Sequence, residues 1–169
     1  SSTGEEGVLM LVNMINAPGK GSNANVDYAL SGLTHYVMAK GEENARLVTA
    51  KAYLKALEMV NERETKAFII RQLQMLGIDV LASYLNDESL SGPAARALAS
   101  NGSQKAGQAL VAALKSRTGS SKTQKDVIRA IADARVDGAE PVLLVLQGAS
   151  DPNMQKEVLY ALSCVGSSN

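Results

Sequence analysis

The stretch "DPNMQKEVLYALSCVG", Asp151–Gly166, decides the fold because it has the features of one amphipathic helix with defined ends. Asp151 followed by Pro152 is typical of an N-cap with proline at the first helical position. Gly166 stands where a left-handed residue commonly ends a helix. The apolar stripe occupies the eighth, ninth and twelfth places of the stretch, Val158, Leu159 and Leu162. Such a helix has one face that a neighbour must cover.

The same stripe recurs in four earlier segments, which begin near residues 22, 62, 87 and 120. They are "SNANVDYALSGLTHYV", "ERETKAFIIRQLQMLG", "DESLSGPAARALASNG" and "SSKTQKDVIRAIADAR". The eighth place holds Ala29, Ile69, Ala94 and Val127, the ninth Leu30, Ile70, Ala95 and Ile128, and the twelfth Leu33, Leu73, Leu98 and Ile131. The starts are unevenly spaced, so the pattern indicates an irregular repeat of about five copies.

Helix-end signals support the repeat independently of the apolar pattern. Asn61 with Glu64, and Thr123 with Asp126, resemble capping boxes, in which side chains satisfy the first amides of a helix. Glycine closes three copies, at Gly77, Gly102 and Gly166. Arg135 holds this place in the fourth copy. Each copy therefore predicts one helix, the first helix of a pair.

A second helix is predicted in each interval, over 7–15, 45–60, 79–85, 105–116 and 141–147. Neither helix of a pair can bury its apolar face alone, whereas stacked pairs share a continuous core. Alternating β-branched runs bounded by turns, which indicate strands, are absent from the sequence. We therefore expect an all-α protein, an α-α superhelix (solenoid) of about five irregular helix pairs, forming a single domain over 1–169.

The last copy, "DPNMQKEVLYALSCVG", resembles the first helix of a HEAT-like repeat, whose pattern runs Asp-Pro, Val or Leu, Ala-Leu, an apolar residue and Gly. "DESLSGPAARALASNG" and "NERETKAFIIRQLQMLG" are looser copies, and Gly32 departs from the pattern inside the first helix of the first copy. Tetratricopeptide repeats fit less well, because their constant spacing and aromatic positions are missing. The resemblance implies a curved surface presented to another protein, and catalytic groups are rare in the family. A bacterial subset is similar to the phycobilin lyases, which hold a tetrapyrrole in the groove.

No arrangement of residues in the sequence indicates catalysis or a metal site. His35 and Cys164 are single residues of their type, whereas a zinc site needs several such ligands. A nucleophile would need a base and an orienting partner, and the Gly-rich "APGKGSN" (17–23) lacks the spacing of a phosphate-binding loop. We interpret Cys164 as a small buried apolar residue and His35 as an ordinary helical one. The sequence predicts neither an enzyme nor a cofactor.

The charge and the aromatic content of the chain limit the classes of partner that it is expected to bind. Lys plus Arg equals Asp plus Glu at 17 each, and the chain has no Trp and one Phe. This neutral balance gives no reason to expect nucleic acid, and the apolar runs are too short for membrane insertion. The compartment stays open. The opening "SSTGEEG", which is not Met, fits a cleaved signal peptide, a tag remnant or excision from a longer protein, and the last helix either caps the stack or is followed by more chain. We expect the repeats to be part of a larger polypeptide.

One place of the repeat, the tenth, holds the same charged residue in several copies. The tenth place is arginine in three consecutive copies, Arg71, Arg96 and Arg129, then Tyr160 in the fifth, and Ser31 in the first. Equivalent places stack side by side in a solenoid, so we expect these guanidinium groups to form a ladder that reads carboxylates on a partner. The alternative is that each arginine pairs with an acid of the protein itself, for which the nearby candidates are Glu88, Asp126 and Asp133.

The sequence thus predicts a non-enzymatic scaffold module that binds a protein. The alternative is a lyase-like protein that holds a small ligand in its groove. A large apolar groove rimmed by aromatic side chains would favour the ligand, and a shallow charged face around the arginines would favour the protein.

Overall fold

A computed structural model of the protein describes residues 2–116, 118–149 and 151–166. Within these ranges the chain forms ten α-helices and no strand, which confirms the all-α prediction. The helices are α1 (Ser2–Asn13), α2 (Ala24–Val37), α3 (Glu43–Met59), α4 (Arg63–Leu76), α5 (Ile78–Ala82), α6 (Ser91–Asn101), α7 (Gln104–Ser116), α8 (Ser121–Ala134), α9 (Glu140–Ala149) and α10 (Pro152–Val165).

A helix lies in each of the segments for which a first or a second helix was predicted. The five first helices are α2, α4, α6, α8 and α10, and the second helices are α1, α3, α5, α7 and α9. Only α5 is much shorter than predicted. It ends at Ala82 because the amides of Tyr84 and Leu85 donate to the carbonyls of Leu81 and Ala82, three residues earlier. These hydrogen bonds form turns in place of a further α-helical turn.

The chain divides into two compact units, Ser1–Val80 and Leu81–Asn169. The single-domain prediction for 1–169 remains a prediction, and each unit is described by itself.

In the N-terminal unit, α1 packs on α2 and α3, and α3 packs on α2 and α4. The fully buried Tyr53 of α3 fixes α2 in place. Its hydroxyl lies 2.9 Å from Thr34 Oγ1 and donates to the Leu30 carbonyl at 3.1 Å. Burial raises the pKa of Tyr53 above its ordinary value. Arg46 of α3 donates to the carbonyl of Val37 at 3.0 Å, where α2 ends.

In the C-terminal unit, the first helices α6, α8 and α10 form a row, in which α8 contacts both neighbours. The second helices α7 and α9 contact each other and pack on the row, since α7 touches α6 and α8, and α9 touches α10. Small side chains allow this close approach: Ala94, Ala95 and Ala97 of α6 are fully buried. The unit therefore has two helical layers.

Side chains at the first place of two copies cap the helix starts. Asp151 accepts from the amides of Asn153 and Met154 at 2.9 Å, which confirms the predicted N-cap. Asp87, at the first place of the third copy, instead holds the turn before α6, where it accepts from the amides of Ser89 and Leu90 at 2.8 and 3.1 Å. Ser120 accepts from Thr123 at 3.4 Å. A short side chain at this place satisfies amides that the helix leaves without partners.

The two predicted capping boxes are wrong. α4 begins after Glu62 rather than Asn61. Thr123 is not an N-cap but a residue of the first turn of α8, where its buried side chain donates to the Ser120 carbonyl at 3.0 Å. Ser120 is the N-cap instead, because its hydroxyl accepts from the amide of Thr123, three residues further along the chain.

The first copy starts one residue later than predicted, because Asn23 precedes α2. Leu30 therefore takes the eighth place and Thr34 the twelfth, and both are fully buried, while Ala29 is exposed. The tenth place becomes Gly32 instead of Ser31. The prediction chose the earlier register because Leu33, being apolar, fits the twelfth place of the stripe better than Thr34 does.

One of the four closing places differs from the expected conformation, and another adopts it with a residue other than glycine. Gly77 and Gly102 have positive φ, 105° and 66°, as expected. Gly166 is right-handed instead, with φ −76°. Arg135, which replaces the closing glycine, adopts the left-handed conformation at φ 48° and is the only non-glycine residue with positive φ among the described residues.

Candidate functional site

The four predicted site residues are all exposed. Because α6, α8 and α10 touch in that order, Arg96, Arg129 and Tyr160 stand at the same place of three adjacent helices in the C-terminal unit. Arg71 belongs to α4 in the N-terminal unit and is described there. The full ladder of three arginines therefore stays a prediction, while the C-terminal unit holds two of them and the tyrosine.

Arg129 makes a two-pronged ion pair with Glu157 of the next first helix. Nη2 donates to Oε1 at 2.7 Å and Nε donates to Oε2 at 3.3 Å. These bonds raise the pKa of Arg129 and lower the pKa of Glu157. The Arg129 side chain is still 59% exposed. The pair thus orients the guanidinium group without removing it from the surface.

A second acid stands at the corresponding place of α8. Asp126 Oδ2 accepts from Ser91 Oγ of α6 at 2.6 Å and from Lys122 Nζ at 2.7 Å. Arg96 Nη1 and Asp126 Oδ2 both lie beside Gly92, at 3.6 and 3.7 Å from the position that a Cβ there would occupy. This part of the surface is therefore a mixture of both charges rather than a purely basic strip.

Sequence reasoning missed Glu157. The partners considered were Glu88, Asp126 and Asp133, which lie near the arginines along the chain, whereas Arg129 pairs with an acid 28 residues away. A signal was available. Asp126 and Glu157 both occupy the seventh place of their copies, a short acidic column beside the basic one.

Tyr160 ends the row and is 58% exposed. A hydrogen bond with Cys164, one helical turn further on, is the main cause that raises the pKa of Tyr160. Cys164 was expected to be buried but is partly exposed, because it shares a helix face with the exposed Tyr160, four residues earlier. Tyr160 thus adds a half-exposed aromatic ring at the edge of the charged surface.

In the N-terminal unit, the Arg71 guanidinium lies over the Phe68 ring, 6.0 Å from its centroid. Asp27 and Glu64 line the same small cleft, whose volume is about 160 Å³. A cation held against an aromatic face keeps its N–H groups at the edge available to a carboxylate. This environment differs from that of Arg129, because its support is a ring instead of an acid.

Each unit also has a larger cleft. An apolar one of about 290 Å³ in the N-terminal unit is lined mainly by Leu33, Tyr36, Val37, Ala45 and Val48. Another of about 290 Å³, in the C-terminal unit, lies among the ends of α6 and α8 and the start of α7. Sites for drug-sized ligands usually hold roughly 300–1,000 Å³, so both clefts are small for a tetrapyrrole.

His35 is exposed on α2. Over the described ranges, no group of three or more His, Cys, Asp or Glu side chains is placed to hold a metal ion. In the same part of the chain, no helix combines the length and the hydropathy needed to cross a membrane.

Comparison of the chain with protein-family models and with curated proteins finds no match.

Proposed function

We propose that the protein is a non-enzymatic binding module, a HEAT-like solenoid that presents the exposed side of its first helices to a protein partner. The observation that carries the proposal is the row formed by Arg96, Arg129 and Tyr160 on α6, α8 and α10. The packing of first and second helices in two layers of the C-terminal unit supports the solenoid, because stacked pairs build such layers.

The partner surface is expected to be acidic. The bonds to Glu157 use Nε and Nη2 of Arg129, and the guanidinium group carries five N–H donors in a planar fork. A carboxylate of the partner can therefore add to the existing pair. The remaining N–H donors of Arg129 give directional contacts to the partner, while the aromatic ring of Tyr160 provides apolar contact.

The test is affinity capture from a lysate of the source organism with the immobilised protein. A variant with Arg71, Arg96 and Arg129 changed to Ala is run in parallel. The matched control changes Lys20, Lys40 and Lys115 to Ala, which removes the same charge from exposed lysines outside the row. Circular dichroism first establishes that the variants fold.

We expect the native protein and the lysine variant to retain the same partner protein. The arginine variant should lose at least about 90% of it, which corresponds to a loss of roughly 1.4 kcal/mol of binding free energy. Equal retention by the native and arginine proteins would contradict the arginine surface. If the native protein retains no protein, the module proposal itself is wrong.

A second candidate function, a small apolar ligand held in a groove, rests on the apolar cleft lined by Leu33, Tyr36 and Val48. Its small volume makes it the weaker candidate. A coloured or low-molecular-weight compound that elutes with the native protein, and not with a Val48→Trp variant whose cleft is filled, would favour it.

A further inference from the structure

The C-terminal unit contains a polar cleft of about 290 Å³ between the start of α7 and the turn that follows α8. Exposed polar side chains line it on both sides: Ser103, Gln104 and Gln108 from α7 and the residue before it, and Arg135 and Asp137 from the turn. The cleft therefore offers amides, a hydroxyl group and both signs of charge to a molecule that enters it.

Close packing of α7 against the turn brings these groups together. A Cβ at Gly107 would lie 2.9 Å from Val136 Cγ1, closer than two carbon atoms approach each other without repulsion. Only a glycine therefore fits at this place of α7 without a shift of Val136, which is 8% exposed and anchors the turn in the core. Gln104 and Gln108 are four residues apart and share one face of α7, so both line the cleft.

The two charged residues of the turn do not neutralise each other. Neither Arg135 nor Asp137 forms an ion pair among the residues that the structure describes. Arg129, in contrast, is held by Glu157. The cleft thus presents a guanidinium group with five N–H donors and a carboxylate that accepts hydrogen bonds.

The backbone at Arg135 is strained in a way that a glycine would avoid. Its φ of 48° lies in the left-handed region. The closing places of α4 and α6 hold Gly77 and Gly102 there, also with positive φ. Strained residues are typical of binding sites, where stability is given up for a side chain that the ligand requires. The strain thus directs attention to the guanidinium group and to the cleft that it lines.

We propose that this cleft binds a free α-amino acid in its zwitterionic form. Arg135 donates two N–H groups to the carboxylate of the ligand, and Asp137 accepts from its ammonium group. The side-chain amides of Gln104 and Gln108 bind polar atoms of the ligand's side chain. This inference goes beyond the proposed function, because none of these residues belongs to the row on α6, α8 and α10.

Size and charge both favour a single amino acid. Sites for drug-sized ligands usually hold roughly 300–1,000 Å³, so this cleft suits a smaller molecule. A free amino acid carries its carboxylate and its ammonium group on one carbon atom, and peptide bonds remove both charges, so an internal segment of a protein does not present this pair. A simple carboxylic acid or a simple amine would leave Asp137 or Arg135 without a partner.

Ligand-observed NMR tests the proposal. Saturation transfer from the protein to pools of the standard L-α-amino acids identifies the ligand, and a titration gives its Kd. Arg135→Gly removes the guanidinium group and retains the left-handed turn, and Asp137→Asn removes the negative charge at an exposed position. Lys115→Ala is the control, because it removes a positive charge from an exposed residue of α7 outside the cleft. Circular dichroism first establishes that the variants fold.

We expect the native protein and Lys115→Ala to bind at least one amino acid with the same Kd, about 1 mM or below. Each of Arg135→Gly and Asp137→Asn should raise this Kd at least about 10-fold, since each removes hydrogen bonds to a charged group. The analogue of the ligand that lacks the amino group, and the one that lacks the carboxylate, should each bind at least about 10-fold more weakly for the same reason.

The absence of binding by every amino acid would overturn the proposal. An equal Kd for the native protein and Arg135→Gly would overturn it as well, because the ligand would then lie elsewhere. Equal binding of the analogue without the amino group would show that the site does not recognise a zwitterion. None of these results affects the capture of a partner protein, which uses other residues.

Discussion

At the scale of single residues, Arg135 carries the clearest strain. The amide of Arg135 bonds to the Ala132 carbonyl at 3.2 Å and that of Val136 to Ile131 at 3.1 Å. These two bonds form the Schellman motif that ends many helices, in which the residue at C′ is left-handed. Glycine adopts this conformation without steric cost, whereas in any other residue the Cβ lies too close to the following carbonyl oxygen. The chain thus retains the motif with an unfavourable residue.

Changing Arg135 to Gly should stabilise the protein by about 1 kcal/mol, because it removes the steric cost of φ 48°. Denaturant unfolding measures the gain as a shift of the midpoint. Arg135→Ala is the control, since it removes the same side-chain atoms beyond Cβ but retains the strain. A gain of equal size in both variants would attribute the effect to the guanidinium group instead.

Residue patterns predicted the basic column but not its supports. The places of Arg96, Arg129 and Tyr160 follow from helical periodicity alone, and all three are exposed. The pairing of Arg129 with Glu157 depends on how far α10 is offset along α8, which is a matter of packing between helices. Periodicity within one helix contains no information on that offset.

At the scale of helices, the starts were more predictable than the registers. Asp151 and Pro152 specify the start of α10 because the cap and the proline act locally. The start of α2 was misplaced by one residue, because Leu33 favoured the earlier register of the apolar stripe. Asn23, which precedes the helix, makes no side-chain bond to it. Its amide instead bonds to Asn16: Nδ2 donates to the Asn16 carbonyl at 3.0 Å. A contact within the loop between α1 and α2 therefore takes the place of a side-chain cap.

The cap on α10 should make stability depend on pH. Bonds from the amides of Met154 and Asn153 hold the pKa of Asp151 below its ordinary value. A carboxyl group whose pKa is lower in the folded state stabilises above the unfolded-state pKa, about 3.9, and this contribution is lost as pH falls through the folded-state pKa. The free energy of unfolding of Asp151→Ala should therefore lie below that of the native protein at pH 6, and the gap should narrow below about pH 4.

Urea unfolding at a series of pH values measures this gap. Asp151→Asn is the matched control, because asparagine also caps helices but does not titrate. The difference between Asp151→Asn and Asp151→Ala should stay constant over the same range. A native-to-alanine gap that does not change with pH would contradict the role of the charge.

At the scale of the whole molecule, the helical class followed from the repeat, while the division into units did not. Repeated amphipathic helices can only bury their stripes on one another, so an all-α fold was the expected solution. The sequence contains no comparable signal at Val80–Leu81, where the two units meet along the chain. That boundary lies within α5, the short helix whose pattern was predicted to extend to 85.

The C-terminal unit should fold without the rest of the chain. Its own two layers bury a set of large side chains, Leu98, Leu110, Leu114, Ile128, Ile131 and Leu143, each at most 1% exposed. A fragment of residues 78–169, which retains α5, should therefore unfold cooperatively with a free energy of about 5 kcal/mol, the low end for natural domains.

Circular dichroism during urea unfolding measures this free energy. A fragment of residues 91–169 is the informative control, because it lacks the buried Leu81, Leu85 and Leu90 and should be less stable. If the fragment 78–169 has a coil-like spectrum or unfolds without a transition, the core of this unit is not self-sufficient. Fragments of equal stability would show instead that α5 and the turn after it contribute nothing to that core.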